Sequence, residues 1–277
     1  MYDPSIGRFN SVDPSVEKYE GITPYSYGFD NPVRFIDIAG RDPGDVVVIF
    51  AGGDIFSDQG VGSTGVIVER LQKQFFNDYG GSVQNFSSPY WSGKVYHGYA
   101  GVVGAISNTL IEDQLDEATQ GAYEYILDNY GEEGRVILYG YSFGGVLATH
   151  LEKRLSQDNI NVDLLVTVDA AAGPNTNQVD RTISENTEEN LNIYQTTPSF
   201  ILSRGGENKR KDGSKRGIRN RIKVNYTDEN GKTRKISHST IDETSTKEVI
   251  QTILDRLQKR EDRKGNRKRR NEQNNEN

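Results

Sequence analysis

The segment from Gly140 to Gly144 reads Gly-Tyr-Ser-Phe-Gly and places a serine between two glycines. An apolar run, Val136 to Tyr139, precedes it, and apolar residues at helical spacing follow it. A serine on a sharp strand-to-helix turn tolerates only small residues two positions to either side, because strand and helix approach each other closely there. The segment therefore predicts a nucleophile elbow that presents Ser142. The alternative is an ordinary glycine-rich turn between a strand and a helix.

A serine hydroxyl is a weak nucleophile at neutral pH, so it needs an imidazole base and a carboxylate that orients the imidazole. Only His150 and His238 follow Ser142 in the chain. His150 lies two turns into the helix predicted after the serine, and a rigid helix would point it away from the hydroxyl. We therefore predict His238 as the base, with a plain loop histidine as the alternative. His97 precedes the serine, and we expect it to line the substrate cleft without a catalytic role.

The predicted carboxylate is Asp169, which closes the apolar run from residue 164 to residue 168. It would lie at the carboxyl end of the next strand, the edge at which open α/β sheets hold their chemistry. Asp163 begins the same strand and would lie at the opposite edge. Asp180 and Asp242 remain alternatives, the second because it follows the predicted base closely. Asp169 could also serve only to cap a turn.

Acyl transfer also needs backbone N–H groups that stabilise an oxyanion. The residue after the nucleophile, Phe143, would supply one. Gly52 and Gly53 follow the apolar run Val46 to Phe50 and would supply another, since a glycine backbone can approach a ligand without an intervening side chain. The alternative for this glycine pair is a tight turn.

The elements that must position these residues alternate between strands and helices. This alternation predicts an α/β fold with a mostly parallel sheet and helices on both faces. The predicted strands are Val46 to Phe50, Val136 to Tyr139 and Val162 to Val168, and the predicted helices are Thr64 to Asp78, a helix ending at Tyr130, the helix after Ser142 to Ser156, and Thr246 to Leu257. Asp228 to Gly231 predicts a hairpin turn between two short β-prone segments.

Composition restricts the chemistry. The chain has 277 residues, no cysteine and three histidines, so disulfides, thiolate nucleophiles and cysteine metal sites are excluded and a histidine-rich metal site is disfavoured. We predict a mechanism that uses neither a metal nor another cofactor. No apolar run reaches the roughly 18 residues of a membrane-spanning helix, and the first residues do not read as a signal peptide.

The net charge of −7 is unevenly distributed. Residues 204–223 hold nine basic and two acidic residues, and residues 259–270 hold eight basic and two acidic residues, so the rest of the chain is strongly acidic. Such basic segments could contact lipid phosphate, nucleic acid or an acidic partner, or could be solvated loop and tail. We predict that residues 259–277 form a disordered basic and polar tail.

The first part of the chain has a different character, rich in Pro, Gly, Asp and Tyr without helical or strand periodicity. Residues 1–14 read MYDPSIGRFNSVDP, residues 24–37 read PYSYGFDNPVRFID, and Gly40-Arg41 follows. This string closely resembles the C-terminal end of the RHS-repeat-associated core domain. In that family the segment closes a large β-rich shell, and a variable toxin domain follows it.

The resemblance implies three parts: an RHS-core remnant at residues 1–42, a toxin domain at residues 43–258, and the tail from residue 259. It also implies delivery into a target cell as part of a larger secreted RHS protein, contact with the RHS shell, and an immunity protein as partner. Many members of that family carry paired Asp-Pro motifs that release the toxin. Asp13-Pro14 fits the first motif, but Asp37 is followed by isoleucine, so we assign neither aspartate a catalytic role.

Three further segments, Val162 to Asp169, Asn192 to Gln195 and Ser237 to Asp242, resemble those of lipase-like and thioesterase-like α/β-hydrolases. Together with the serine motif, they predict a serine esterase or lipase of the α/β-hydrolase type, with phospholipids as substrates and transient contact with a membrane surface. Two alternatives are a toxin that degrades nucleic acid and an inactive binding module on a hydrolase scaffold.

Overall fold

A computed structural model gives the structure of this chain. It describes residues 2–3, 8–9, 25, 45–50, 52, 64–74, 82–86, 112–130, 134–197 and 204–275. Most of the RHS-like segment, including Asp13 and Asp37, lies outside the described residues, as do Gly53 and His97. The strands are β1 (Tyr2–Asp3), β2 (Arg8–Phe9), β3 (Val46–Phe50), β4 (Ser82–Phe86), β5 (Val136–Tyr141), β6 (Val162–Val168), β7 (Thr182–Ile183), β8 (Thr187–Tyr194), β9 (Lys209–Arg210), β10 (Ile218–Ile222), β11 (Asn225–Thr227) and β12 (Thr233–Lys235). The helices are α1 (Thr64–Gln74), α2 (Glu112–Asn129), α3 (Phe143–Gln157) and α4 (His238–Asn275), with a 3₁₀ helix at Gly173–Gln178.

The centre of the fold is a six-stranded sheet in the order β10-β8-β6-β5-β3-β4. Every neighbouring pair in it is parallel. Strands β3 and β5 and most of β6 are apolar runs, as expected for parallel strands that are covered on both faces. The predicted α/β class, with a mostly parallel sheet and helices on both faces, is confirmed.

Residues alternate between the two faces of the sheet, because successive side chains of a strand point in opposite directions. In β3, Val46 and Val48 pack on the face covered by α2 and α3. Val47 and Ile49 pack on the other face, with Ile67 of α1 and residues of α4. The sheet is therefore buried on both faces. Polar residues can lie in the turns that follow the carboxyl ends of the strands.

Three strands of the sheet, β4, β8 and β10, were not predicted. β8 contains Asn190 and Asn192, polar residues that are fully buried. Their amides are satisfied within the sheet region, since Asn190 Nδ2 donates to the Leu165 carbonyl at 2.9 Å and Asn192 Oδ1 accepts from Thr167 Oγ1 at 3.0 Å. Apolar periodicity cannot reveal such a strand, because its polar side chains are buried only through partners that are distant in sequence.

The first basic segment, residues 204–223, is part of the fold and not a solvated loop. It contributes β10, the edge strand beside β8. Arg210 in this segment is buried and donates from Nη2 to the Thr187 carbonyl at 2.7 Å and from Nε to the Arg216 carbonyl at 2.9 Å. Some of the positive charge in this segment therefore stabilises the chain itself.

The last helix is longer than predicted at both ends. It begins at His238 instead of residue 246, and its backbone continues to Asn275, so the disordered tail predicted from residue 259 is wrong for most of its length. Lys, Arg, Glu and Gln are good helix formers, and residues 258–275 contain many of them and no proline. Low hydrophobicity indicated disorder there, whereas helix propensity accounts for the observed backbone.

Among the residues that the structure describes, no helix combines the length and hydrophobicity needed to cross a lipid bilayer.

A buried ion pair joins the amino ends of two central strands to the last helix. Asp45 and Arg135 are both buried, and Arg135 Nε donates to both Asp45 oxygens at 3.0 Å. Arg135 Nη1 also donates to the carbonyl of Arg256 at 3.3 Å and to that of Leu257. The guanidinium thus connects β3 and β5 to α4 at the amino ends of the strands.

We expect Arg135→Gln to lower the free energy of unfolding by about 3–5 kcal/mol, because it leaves the Asp45 carboxylate buried without its countercharge. Urea denaturation followed by circular dichroism measures this change. The matched control is Lys215→Gln, which removes one partner of the exposed pair with Glu207 and should cost less than about 1 kcal/mol. Equal losses in the two variants would contradict a structural role for the buried pair.

Candidate active site

Ser142 lies on a sharp turn between β5 and α3. Its backbone has φ 54° and ψ −124°, a conformation that costs a non-glycine residue on the order of 1–3 kcal/mol. The turn is held on both sides, because Ser142 N donates to the Val168 carbonyl at 2.9 Å and Ala171 N donates to the Ser142 carbonyl at 3.1 Å. A methyl group on Gly140 would overlap the carbonyl of Gly144. Gly140 is therefore required by the close approach of strand and helix, as the sequence predicted.

The structure brings Ser142, His238 and Asp169 together. Ser142 Oγ lies 2.8 Å from His238 Nε2, and His238 Nδ1 lies 2.7 Å from Asp169 Oδ2. With the proton on Nδ1, the imidazole donates to the carboxylate and accepts from the hydroxyl. Asp169 is fully buried, while Ser142 and His238 keep 7% and 8% of their surface exposed. The hydroxyl and the imidazole therefore keep only slight access to solvent, and the carboxylate has none.

Sheet register explains why Ser142 and Asp169 are neighbours. Tyr141 pairs with Val168 across β5 and β6, so the serine and the aspartate each lie one residue beyond the same row of the sheet. Both residues have positive φ, 54° and 46°, because the chain turns away from the sheet at both points. His238 is the first residue of α4, which packs against β6.

Asp169 is fixed by donors from two other segments. Its Oδ1 accepts from Gln195 N at 3.0 Å and Gly205 N at 2.6 Å, and its Oδ2 accepts from Gln195 Nε2 at 2.9 Å. These three hydrogen bonds compensate the buried carboxylate for lost hydration and fix its orientation. Burial lowers the pKa of the nearby Arg181 guanidinium, and the negative charge of Asp169 opposes that shift.

Tyr141 holds the histidine from the other side. Its ring stacks on the imidazole of His238, with centroids 5.3 Å apart and an interplanar angle of 26°. Its hydroxyl donates to the His238 carbonyl at 2.7 Å. The imidazole is thus restrained by a ring contact, a backbone hydrogen bond and the carboxylate.

One predicted oxyanion residue lies beside the serine. A Cβ placed on Gly52 would lie 3.2 Å from Ser142 Cβ and 2.5 Å from the Tyr141 ring, so the backbone at Gly52 is close to the nucleophile. Phe143 is the first residue of α3, and N–H groups in the first turn of a helix point out of its positive end. Gly53, the other predicted donor, lies outside the described residues.

The alternative residues do not join this group. His150 Nε2 lies 2.8 Å from Asp116 Oδ1 on the outer side of α3, as expected from its place on the helix. Asp180 accepts from Thr182 N at 2.9 Å and pairs with Lys153.

Two further carboxylates also lie elsewhere. Asp163 accepts from Val136 N at 3.1 Å near the amino end of its strand, and burial raises the pKa of this carboxyl. Asp242, which follows the histidine closely in sequence, accepts from the Tyr139 hydroxyl at 3.2 Å.

Three supporting residues had no predicted role: Tyr141, Gln195 and Gly205. Tyr141 occupies the variable position before the serine in the motif, and Gln195 is the last residue of the segment Asn192 to Gln195 that resembles α/β-hydrolases. Neither position carries a signal for contact with His238 or Asp169. Gly205 lies 36 residues from the carboxylate that it contacts, and only the folded chain reveals that contact. Within the described part of the chain, no group of three or more His, Asp or Glu side chains is placed to hold a metal ion.

No protein-family model and no curated protein sequence matches this chain. Solved structures with a similar arrangement include the type II thioesterase BorB from the borrelidin biosynthetic cluster, at 9% identity and a TM-score of 0.43, covering 79% of this chain and 95% of that one. The NocB thioesterase domain in covalent complex with a fluorophosphonate nocardicin G analogue has 14% identity and a TM-score of 0.42, covering 82% and 97%. A protein from Lactobacillus plantarum WCFS1, assigned as a cell surface hydrolase, has 10% identity and a TM-score of 0.40, covering 79% and 97%. No substrate, activity or residue role follows from these similarities.

We expect Gly205→Ala to lower the reactivity of Ser142 at least tenfold, because the new methyl group would lie 2.5 Å from Asp169 Oδ1 and displace the carboxylate that orients His238. The measurement is the rate of labelling by a fluorophosphonate probe. The matched control is Gly206→Ala, whose methyl group would meet the Arg181 side chain, which can shift. Unchanged labelling of folded Gly205→Ala protein would show that this backbone contact does not position the site.

Proposed function

We propose that this chain is a serine hydrolase that cleaves carboxylic esters. The observation that carries the proposal is the continuous hydrogen-bonded line from the Ser142 hydroxyl through His238 to the buried Asp169. Hydroxyl, imidazole and carboxylate in this order form the arrangement by which a serine becomes a nucleophile at neutral pH.

The first half of the reaction forms an acyl-enzyme. Ser142 Oγ attacks the carbonyl carbon of the ester while His238 Nε2 takes the hydroxyl proton. Asp169 stabilises the imidazolium that results and keeps the ring oriented. The tetrahedral oxyanion lies near Phe143 N–H and the backbone of Gly52, and His238 then gives its proton to the departing alcohol.

The second half regenerates the serine. Water replaces the alcohol, and His238 takes one of its protons as the oxygen attacks the acyl carbon. Collapse of the second tetrahedral intermediate releases the carboxylic acid and returns the proton to Ser142 Oγ. Each proton moves between Oγ, Nε2 and the substrate oxygens, so the cycle needs no metal ion or cofactor.

The substrate that we propose is a phospholipid, and the setting is the C-terminal toxin of an RHS-type effector. The resemblance of residues 1–42 to an RHS core supports the toxin setting, since a delivered lipase would damage the membrane of the recipient cell. In this setting an immunity protein that covers the site protects the producing cell. The catalytic steps at Ser142 and His238 are the same for any carboxylic ester, so lipid profiling is the measurement that identifies the substrate.

We expect Ser142→Ala to abolish fatty acid release from phospholipid vesicles, a loss on the order of 10⁴-fold or more in turnover, because it removes the attacking oxygen. Fatty acid release is measured by mass spectrometry. The matched control is His150→Ala, a histidine on the helix that follows the serine but bonded to Asp116, which should retain the parent rate. Fatty acid release by Ser142→Ala protein at the parent rate would reject the assignment.

Lipid profiles of cells that express residues 43–277 identify the ester that is cut. We expect lysophospholipid and free fatty acid to rise with the parent chain and not with Ser142→Ala. Cleavage of plasmid DNA or RNA that persists in the serine variant would support a nuclease instead. Folded protein in which Ser142 resists a fluorophosphonate probe would support a binding module.

A further inference from the structure

The row of the sheet that holds Ser142 and Asp169 continues to the edge strand. Val168 pairs with Ile193, and Ile193 pairs with Arg221. Ile222 therefore lies in the row that contains the serine and the aspartate, three strands away from the serine. Adjacent strands are about 4.8 Å apart, so this position is roughly 15 Å from the nucleophile on the same edge of the sheet.

Two apolar side chains are exposed at this point. Ile222 ends β10 with 52% of its surface exposed, and Val224 follows with 58% exposed. Both are β-branched residues without polar atoms in their side chains. Exposed apolar residues scattered over a surface need no explanation, but here two occur within three positions at the edge of the sheet that carries the proposed catalytic group.

The segment that carries these two side chains is basic. Between Ile218 and Ile236 the sequence has six basic and two acidic residues, in a chain with a net charge of −7. Lys235 lies opposite Asn225 in the β11–β12 hairpin, directly beside Val224. Lys232 and Lys235 are exposed and form no ion pair with a described side chain, whereas Arg221 pairs with Glu248 at 3.0 Å.

The same hairpin leads directly to the catalytic histidine. Ile236 N donates to the Val224 carbonyl at 2.8 Å, and Lys223 N donates to the Tyr194 carbonyl at 2.8 Å. His238 lies two residues beyond Ile236. The exposed residues are thus fixed both to the sheet and to the segment that supplies the base.

We propose that Ile222, Val224, Lys232 and Lys235 form a rim surface that docks the protein onto an anionic phospholipid bilayer. The two apolar side chains enter the headgroup region, and the two lysines contact lipid phosphates. This inference rests on the proposed function, because it explains how an ester within a bilayer would reach Ser142. A nucleic-acid ligand is disfavoured, since phosphate contacts alone would not use exposed Ile and Val side chains.

Binding is tested apart from catalysis in the Ser142→Ala background, which leaves the vesicles intact. Co-sedimentation with vesicles of equal parts phosphatidylglycerol and phosphatidylcholine measures the partition coefficient. We expect the added changes Ile222→Ser and Val224→Ser to lower it roughly tenfold or more. Lys232→Gln with Lys235→Gln should lower it by a similar factor, and should also weaken its dependence on salt concentration.

The matched control replaces two other exposed apolar residues, Val66 of α1 and Leu127 of α2, by serine. These side chains are 57% and 49% exposed and lie outside the rim surface, so their replacement should leave binding unchanged. With Ser142 intact, the change of Ile222 and Val224 to serine should lower hydrolysis of vesicles while hydrolysis of p-nitrophenyl acetate, a soluble ester, stays at the parent rate.

Several outcomes would overturn the rim surface. These are unchanged vesicle binding in the Ile222 and Val224 variant, an equal loss in the Val66 and Leu127 control, equal binding to vesicles of phosphatidylcholine alone, and binding to a duplex oligonucleotide without binding to vesicles. Vesicle binding that depends on the rim surface, in a protein that hydrolyses no ester, would support docking and reject only the proposed enzymatic function.

Discussion

The register between β5 and β6 is the constraint on which the site depends. It places the turn after Tyr141 next to the turn after Val168, so a serine and an aspartate that are 27 positions apart in the printed sequence become neighbours. The hydrogen bonds between the two parallel strands fix the position of one turn relative to the other, at the spacing of neighbouring strands, about 4.8 Å. A shift of one residue would turn the side chains to the opposite faces of the sheet and separate the carboxylate from the histidine that bridges the two.

This arrangement is costly in isolation. Ser142 and Asp169 both have positive φ, and the carboxylate is fully buried. The surrounding fold offsets these costs with donors from Gln195 and Gly205 to the carboxylate and with the hydrogen bonds that hold the Ser142 turn. Strained residues persist where neighbouring contacts determine them from several sides, and here those contacts come from residues 168–171, Gln195 and Gly205.

The two ends of the parallel sheet have different tasks. At the amino ends, Asp45 and Arg135 tie the central strands to the last helix in a buried pair. At the carboxyl ends, polar and reactive groups collect, because all six strands point the same way and their turns converge on one edge. The proposed docking residues belong to this second edge. Strand direction therefore brings the proposed catalytic residues and the proposed docking residues to the same end of the sheet, although they are distant in sequence.

The fold class and the proposed pair of Ser142 and His238 could be predicted from the sequence alone, because a glycine-flanked serine between apolar strand and helix signals is a local pattern, and only two histidines follow it. The sequence ranked Asp169 first among several carboxylates but could not exclude Asp242, whose bond to Tyr139 exists only across the folded core. It missed β8 and β10, since their polar residues are satisfied by partners far along the chain, and it took residues 204–223 for a charged segment although Arg210 is buried there. The roles of Tyr141, Gln195 and Gly205 were decided by tertiary structure alone, because a hydrogen bond between distant segments leaves no periodic trace in either of them.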